Sequence, residues 1–259
     1  MARPSFLSLP RPIITCILKE PTVEAAVATI KNGEFEGAPA FAIHLEGLKN
    51  SDLTKENFRR IAGCTKKPVM FLRYRHDGSL TDEERVQVLK DAVECGAAAV
   101  DFTADTFDAS SREFSDKPAV VARQMKLIDE VHEMGGEVVM SSHVLNEALS
   151  CDQILDHLKS VEKRGADFAK IVTRADTEEE FLEALRTTMV LRREMKIPFI
   201  FLCGGKFALP QRYIGPTLGN ALTFCVQRYT NMFTTSQPPL ANMMSVLRGY
   251  NWHIDETDE

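Results

Sequence analysis

Lys170 stands inside a short, largely apolar run, Ala166-Asp167-Phe168-Ala169-Lys170-Ile171-Val172, that turns polar at Thr173. Such a run suits a strand buried on both faces. Burial disfavours an ammonium and so favours the neutral amine, the form that condenses with a ketone to give a Schiff base. The plainer reading is a lysine whose amine snorkels from a strand end to water. A second chemical group ends another apolar run, Val138-Val139-Met140-Ser141-Ser142-His143. An imidazole titrates near neutral pH, so it can remove a proton and return it within one reaction cycle. Taken alone, His143 reads as a hydrogen-bonded structural histidine; Lys170 on the next strand is what favours the catalytic reading. Further polar residues follow other apolar runs: His44 and Glu46; Arg73 with Arg75 and Asp77; Asp101; Lys206; Arg212. These residues converge only if the runs are neighbouring strands.

The remaining sequence supplies such strands. Apolar runs at 12–18, 41–46, 68–73, 97–102, 137–142, 166–172, 198–202 and 220–224 alternate with helical patterns at 22–32, 54–62, 81–95, 117–134, 152–164 and 177–195, and a last helix spans 239–248. Thr22 reads as an N-cap, and Asp82-Glu83-Glu84 places acids where a helix N-terminus favours them. Strands alternating with helices about every 25–35 residues point to an α/β (β/α)8 TIM barrel. An open doubly wound sheet is the competitor, but no GxGxxG or GxxxxGK follows a strand. With no Pro/Gly/Ser-rich linker and no repeat, residues 1–259 read as one domain, with 1–11 and 250–259 as peripheral tails. In a barrel, the polar residues at the strand C-termini share one face.

Composition narrows the partners. A net charge of −6 gives no electrostatic reason to expect nucleic acid or an anionic membrane, and no apolar run approaches a bilayer span. The first ten residues lack a long apolar core, so no secretory signal is expected. The six cysteines are scattered, without CxxC pairs or clustering with histidine, which predicts neither a disulfide framework nor a zinc site and suits a reducing cytoplasm. Asp101 and Asp105 have no His or Glu at ligand spacing and read as hydrogen-bonding residues rather than metal ligands. His76, His132, His157 and His253 read as solvated.

From Pro12 to Leu247 the chain resembles the type I 3-dehydroquinate dehydratase family. The resemblance rests on Val138–His143, on Ala166–Ile171, on Arg212-Tyr213-Ile214-Gly215 followed by Gly219–Phe224, and on Phe71-Leu72-Arg73 with Asp77 four positions later. It implies a cofactor-free, homodimeric lyase. Lys170 would form an imine with a small keto acid, His143 would act as general acid and base, and Asp77 would orient the histidine. Arg212 would pair with the substrate carboxylate and Arg73 would bind its hydroxyls. The chain departs from the family at strand two, where a Glu-x-Arg-x-Asp motif reads His44-Leu45-Glu46-Gly47-Leu48, putting His44 and Glu46 at substrate-binding positions. Near the C-terminus, Phe233 replaces the serine of the family's lid, Gln237 is kept, and Thr234, Thr235 or Ser236 takes the serine's part. The rewritten strand two leaves open two alternatives: a related Schiff-base lyase or aldolase acting on another hydroxylated keto acid, and a non-catalytic metabolite-binding relative.

Overall fold

Side chains alternate between two faces along a strand, and here both faces are apolar, so each strand must be covered on both sides. In the computed structural model, which describes residues 3–75, 78–231 and 236–255, the chain meets that requirement with a barrel. The strands are β1 (Ile13–Leu18), β2 (Ala40–His44), β3 (Val69–Leu72), β4 (Ala99–Thr103), β5 (Glu137–His143), β6 (Phe168–Arg174), β7 (Phe199–Gly204) and β8 (Leu222–Cys225). They pair in parallel in sequence order, and β8 returns to pair with β1. The helices are α1 (Val23–Phe35), α2 (Lys55–Gly63), α3 (Asp82–Glu94), α4 (Pro118–Glu133), α5 (Cys151–Lys163), α6 (Glu178–Glu194), α7 (Ala208–Ile214) and α8 (Leu240–Tyr250). Thr22, Thr54, Thr81, Ser150 and Thr177 cap their helices with side-chain oxygens, each typically contributing about 1 kcal/mol. The short helix α7 is an addition to the helices expected from sequence.

Alternation divides the strand residues into two cores. Ile13, Ile17, Ala40, Ala42, Met70, Leu72, Val139, Phe168, Val172, Ile200 and Leu202 fill the barrel interior. Their neighbours Cys16, Phe41, Ile43, Val69, Phe71, Met140, Ile171 and Phe201 pack outward under the helices. By the same parity Lys170, between Phe168 and Val172, belongs to the interior, and so do Asp101, Ser141 and His143 on their strands.

The circle closes between β7 and β8 without a strand ladder. One backbone bond, Ala221 N–H to Phe199 O at 3.0 Å, spans the seam. Side chains satisfy the rest of the β7 edge. Asn220 accepts from Phe201 N–H at 2.8 Å, and Gln211 accepts from Cys203 N–H at 3.0 Å while donating to Phe201 O at 3.0 Å. Arg212 Nε donates to Cys203 O at 3.2 Å. All of these groups are buried, where an unmet backbone group would cost about 1–3 kcal/mol.

The segments expected as peripheral tails are part of the structure where it is described. Phe6 is fully buried among the interior residues, and Glu137 accepts from its N–H at 3.0 Å. An aromatic side chain here covers apolar groups that the open end of the barrel would leave to water. After α8, Ile254 N–H donates to Thr217 O at 3.0 Å, and Asp255 pairs with Arg192.

Candidate active site

Lys170 is 3% exposed, and its side chain crosses the barrel interior from β6. Nζ donates to Asp101 Oδ2 at 2.9 Å and to Tyr74 Oη at 2.7 Å. The Tyr74 hydroxyl donates to the same Asp101 oxygen at 2.7 Å, and Ser141 Oγ donates to Oδ1 at 2.5 Å. Asp101 is therefore the hub of a buried network fed by three donors. Burial, then the adjacent Asp101 charge, pushes the Tyr74 phenol well above its ordinary range and keeps it protonated.

His143 ends β5 one strand away. Its Nδ1 lies 2.7 Å from Glu113 Oε2, which also accepts from the His143 backbone N–H at 3.0 Å. An imidazole whose Nδ1 donates to a carboxylate has its Nε2 lone pair available as a base. Burial and the nearby Lys170 charge lower the His143 pKa, with Glu113 opposing them. Burial raises the Glu113 pKa, but the His143 hydrogen bond, its charge and the Lys170 charge outweigh that, and Glu113 is held below the usual carboxylate range.

Glu113 lies in the loop between β4 and α4, and nothing in the residue pattern singles it out. The tertiary structure holds it there. Ser142 Oγ donates to its carbonyl at 2.7 Å, while Arg164 reaches across from the end of α5 to Ala104 O at 3.0 Å and Ser115 O at 2.7 Å. Its φ of 48° is left-handed, a conformation costly for a residue with a Cβ and commonest where the surroundings enforce it.

The expected residues divide three ways. Lys170, His143, His44, Arg212, Ser236 and Gln237 line one cavity of about 340 Å³ at the C-terminal ends of the strands. Gly205 forms part of its wall with φ 83°, where an added Cβ would lie 2.8 Å from Ala175 O. Arg73 and Glu46 are not among the cavity-lining residues. Arg73 shares the outward parity of Val69 and Phe71, and it donates to Asn50 Oδ1 at 3.1 Å and Ser79 Oγ at 2.8 Å. Its neighbour Tyr74 has the inward parity of Met70 and Leu72 and takes the interior place. Glu46 accepts from the Tyr74 N–H at 2.5 Å and lies 3.3 Å from His44 Nδ1, so it supports the cavity wall from behind. Asp77, Thr234 and Thr235 lie outside the described residues. The carboxylate that the structure shows on His143 is Glu113.

Sequence reasoning did not assign site roles to Tyr74, Asp101 or Glu113. Period-two alternation through β3 would have pointed to Tyr74 over Arg73. Asp101 was legible as an acid within an apolar strand.

Arg212 reaches the cavity from α7. It is 4% exposed, and its Nη1 donates to Gln237 Oε1 at 2.9 Å. No carboxylate pairs with it among the described residues, and burial lowers its pKa to about 10. A buried guanidinium that meets only neutral acceptors is suited to an anionic ligand. Among the described residues, no group of three or more His, Cys, Asp or Glu could hold a metal ion, and no helix is long and apolar enough to cross a membrane.

The family model for type I 3-dehydroquinase matches residues 14–251. The chain belongs to the type I 3-dehydroquinase family. The curated relatives of this chain are distant. The 3-dehydroquinate dehydratase of Alkaliphilus oremlandii is 31% identical over 106 residues, a match covering 40% of this chain and 42% of that protein. The enzyme of the same name from Geobacillus thermodenitrificans is 25% identical over 200 residues, covering 75% and 71%. Among solved structures, 3-dehydroquinate dehydratase from Geobacillus kaustophilus superposes with a TM-score of 0.79 at 19% identity, covering 93% of this chain and 91% of that one. The type I 3-dehydroquinate dehydratase of Clostridium difficile, solved with covalently modified comenic acid, gives a TM-score of 0.76 at 18% identity, with 93% of each chain covered. At these identities the superpositions establish the barrel fold.

Proposed function

We propose that the chain is a hydro-lyase that dehydrates 3-dehydroquinate, or a close hydroxylated keto acid, to a conjugated enone through an imine on Lys170. The observation that carries this reading is one cavity lined by a buried amine, an imidazole with a carboxylate on Nδ1, and a guanidinium that has no carboxylate partner among the described residues. Family membership and the covalent adduct of the Clostridium difficile relative support it.

The chemistry follows from these groups. Lys170 passes its ammonium proton to His143 and adds to the ketone as the neutral amine; His143 returns that proton to the carbinolamine hydroxyl, which leaves as water, and the protonated imine that remains acidifies the adjacent C–H. His143 Nε2 takes that proton. The resulting enamine expels the β-hydroxyl, to which His143 returns the proton, releasing water. Hydrolysis of the product imine then consumes the water released in forming the first one and restores Lys170. Arg212 pairs with the substrate carboxylate, while Gln237 orients the guanidinium and Ser236 stands beside it on the wall. The imine is itself the electron sink, so the reading calls for no further cofactor. Membership in the family also carries the proposals of a homodimer and a cytoplasmic location.

A second reading, a different hydroxylated keto acid, is favoured by the wall at β2. It presents the imidazole of His44, held by Glu46, where the family pattern has a carboxylate. A site built for one hydrogen-bond pattern rejects ligands lacking it by large factors.

The test is turnover of 3-dehydroquinate, followed by the ultraviolet absorbance of the enone and by borohydride trapping. The expected result is turnover and a covalent adduct, both absent from Lys170→Ala. An adduct without turnover would select the second reading. Absence of both from folded protein would overturn the first.

A further inference from the structure

The amine of Lys170 has two hydrogen-bond partners on one side and the cavity on the other. Nζ carries four tetrahedral directions. One is the bond to Cε, and two point at Tyr74 Oη and Asp101 Oδ2, at 2.7 and 2.9 Å. The Tyr74 hydroxyl has a single proton, and that proton is engaged by Asp101 Oδ2 at 2.7 Å. Towards Nζ the phenol can therefore only accept. When the ammonium loses one proton, its two remaining N–H bonds can keep both partners, and the lone pair takes the fourth direction.

We propose that Tyr74 is a positioning residue for the nucleophile: with Asp101 it fixes two N–H bonds of Lys170 so that the lone pair of the neutral amine faces the cavity. Asp101 alone would fix one N–H and leave the lone pair free to sweep a cone around it. Tyr74 is itself rigidly placed. Its ring stands edge-to-face between His143, with centroids 4.8 Å apart, and His44, at 5.5 Å, and its backbone N–H is held by Glu46. The ring thus spaces the two imidazoles while the hydroxyl aims the amine. Once the imine forms, nitrogen is planar with one N–H, and only one of the two acceptors can hold it. The phenol therefore acts before the imine exists, and the carbon-proton step belongs to His143.

This inference rests on the imine reading, and Tyr74→Phe tests it because that change removes the hydroxyl and keeps the ring. Rapid mixing with 3-dehydroquinate and borohydride quenching gives the rate constant for imine formation. Exchange of the substrate C–H with deuterated solvent reports the His143 step on the preformed imine. Tyr74→Phe is expected to slow imine formation roughly tenfold, the order expected for one hydrogen bond, with KM and the exchange rate of the imine within about twofold. A reduced amplitude with an unchanged rate constant would mean loss of folded protein only and would overturn the proposal. Equal slowing of both steps would overturn it too, because the effect would then not belong to the amine. If wild-type protein forms no imine, the functional reading fails and this inference with it. If wild type forms one and Tyr74→Phe matches its rate, the inference alone fails.

Discussion

Glu113 Oε2 lies 2.7 Å from His143 Nδ1, although the two residues belong to different βα units and Glu113 is held in a left-handed conformation. In the proposed mechanism this contact fixes the imidazole tautomer and stabilises the imidazolium formed when His143 takes a proton. Glu113→Gln keeps the shape and removes the charge. It should lower kcat by roughly 10²-fold while the imine remains trappable by borohydride. Glu113 is the group that raises the His143 pKa against burial and the Lys170 charge. Removing its charge therefore lowers that pKa further, and the acid limb of the kcat/KM profile should move to lower pH. A limb that stays put or moves up would show that Glu113 does not act through His143.

Lys170 and Asp101 are 3% and 1% exposed and form a buried ion pair. Removing one partner of such a pair leaves the other charged and unpaired. Asp101→Asn should therefore destabilise the protein by about 3 kcal/mol in urea unfolding near pH 7. Combining it with Lys170→Met removes both charges and should restore most of the loss. If the double variant is no more stable than Asp101→Asn, the cost lies elsewhere.

Arg212 both completes the β7 edge through Nε and faces the cavity. Arg212→Lys keeps a charge but loses the planar fork. A roughly 10- to 100-fold rise in KM is expected, the scale of one or two charge-assisted hydrogen bonds, with a smaller change in kcat. A pure kcat effect at constant KM would argue against carboxylate binding here.

His157 read as solvated in the sequence. Instead its Nε2 lies 2.8 Å from Ser142 Oγ, its ring lies against Phe114, and burial together with Arg164 and Arg112 lowers its pKa from 6.5 to about 4. The folded state thus resists protonation, while the unfolded chain takes up the proton below pH 6.5. Below that pH the unfolded state binds more protons, so stability falls as pH falls from about 6.5 to about 4. His157→Gln should flatten that part of the profile, by an amount on the order of 3 kcal/mol at the acid end. Denaturant midpoints at pH 7 and pH 4.5 in both proteins are the measurement, and parallel profiles would contradict this role.

The barrel strands, the buried lysine and the histidine at a strand end were legible in the sequence because each is a local property. An apolar run bounded by turn residues makes a strand wherever it falls, and a strand interrupted by one lysine or ended by one histidine is visible residue by residue. Strand positions came out within a few residues for the same reason. The family motifs around His143, Lys170 and Arg212 added what no local pattern contains, the roles proposed for those side chains.

Tertiary structure decided the rest. Arg73 and Tyr74 are adjacent in sequence, yet the alternation continuing from β3 turns one towards Asn50 and Ser79 and the other towards Lys170, so the choice depends on which face closes inward. Glu113 reaches His143 because Arg164, Ser115 and Ser142 hold the β4–α4 loop over β5, contacts spanning 29 to 60 residues. The partner of an amine, the carboxylate behind an imidazole and the closure of β7 on β8 are properties of distances across the barrel. The sequence alone determined which residues could do chemistry and on which strands they lie. Only the closed fold, by bringing strand ends far apart in the chain within hydrogen-bonding distance, decided which of them act together.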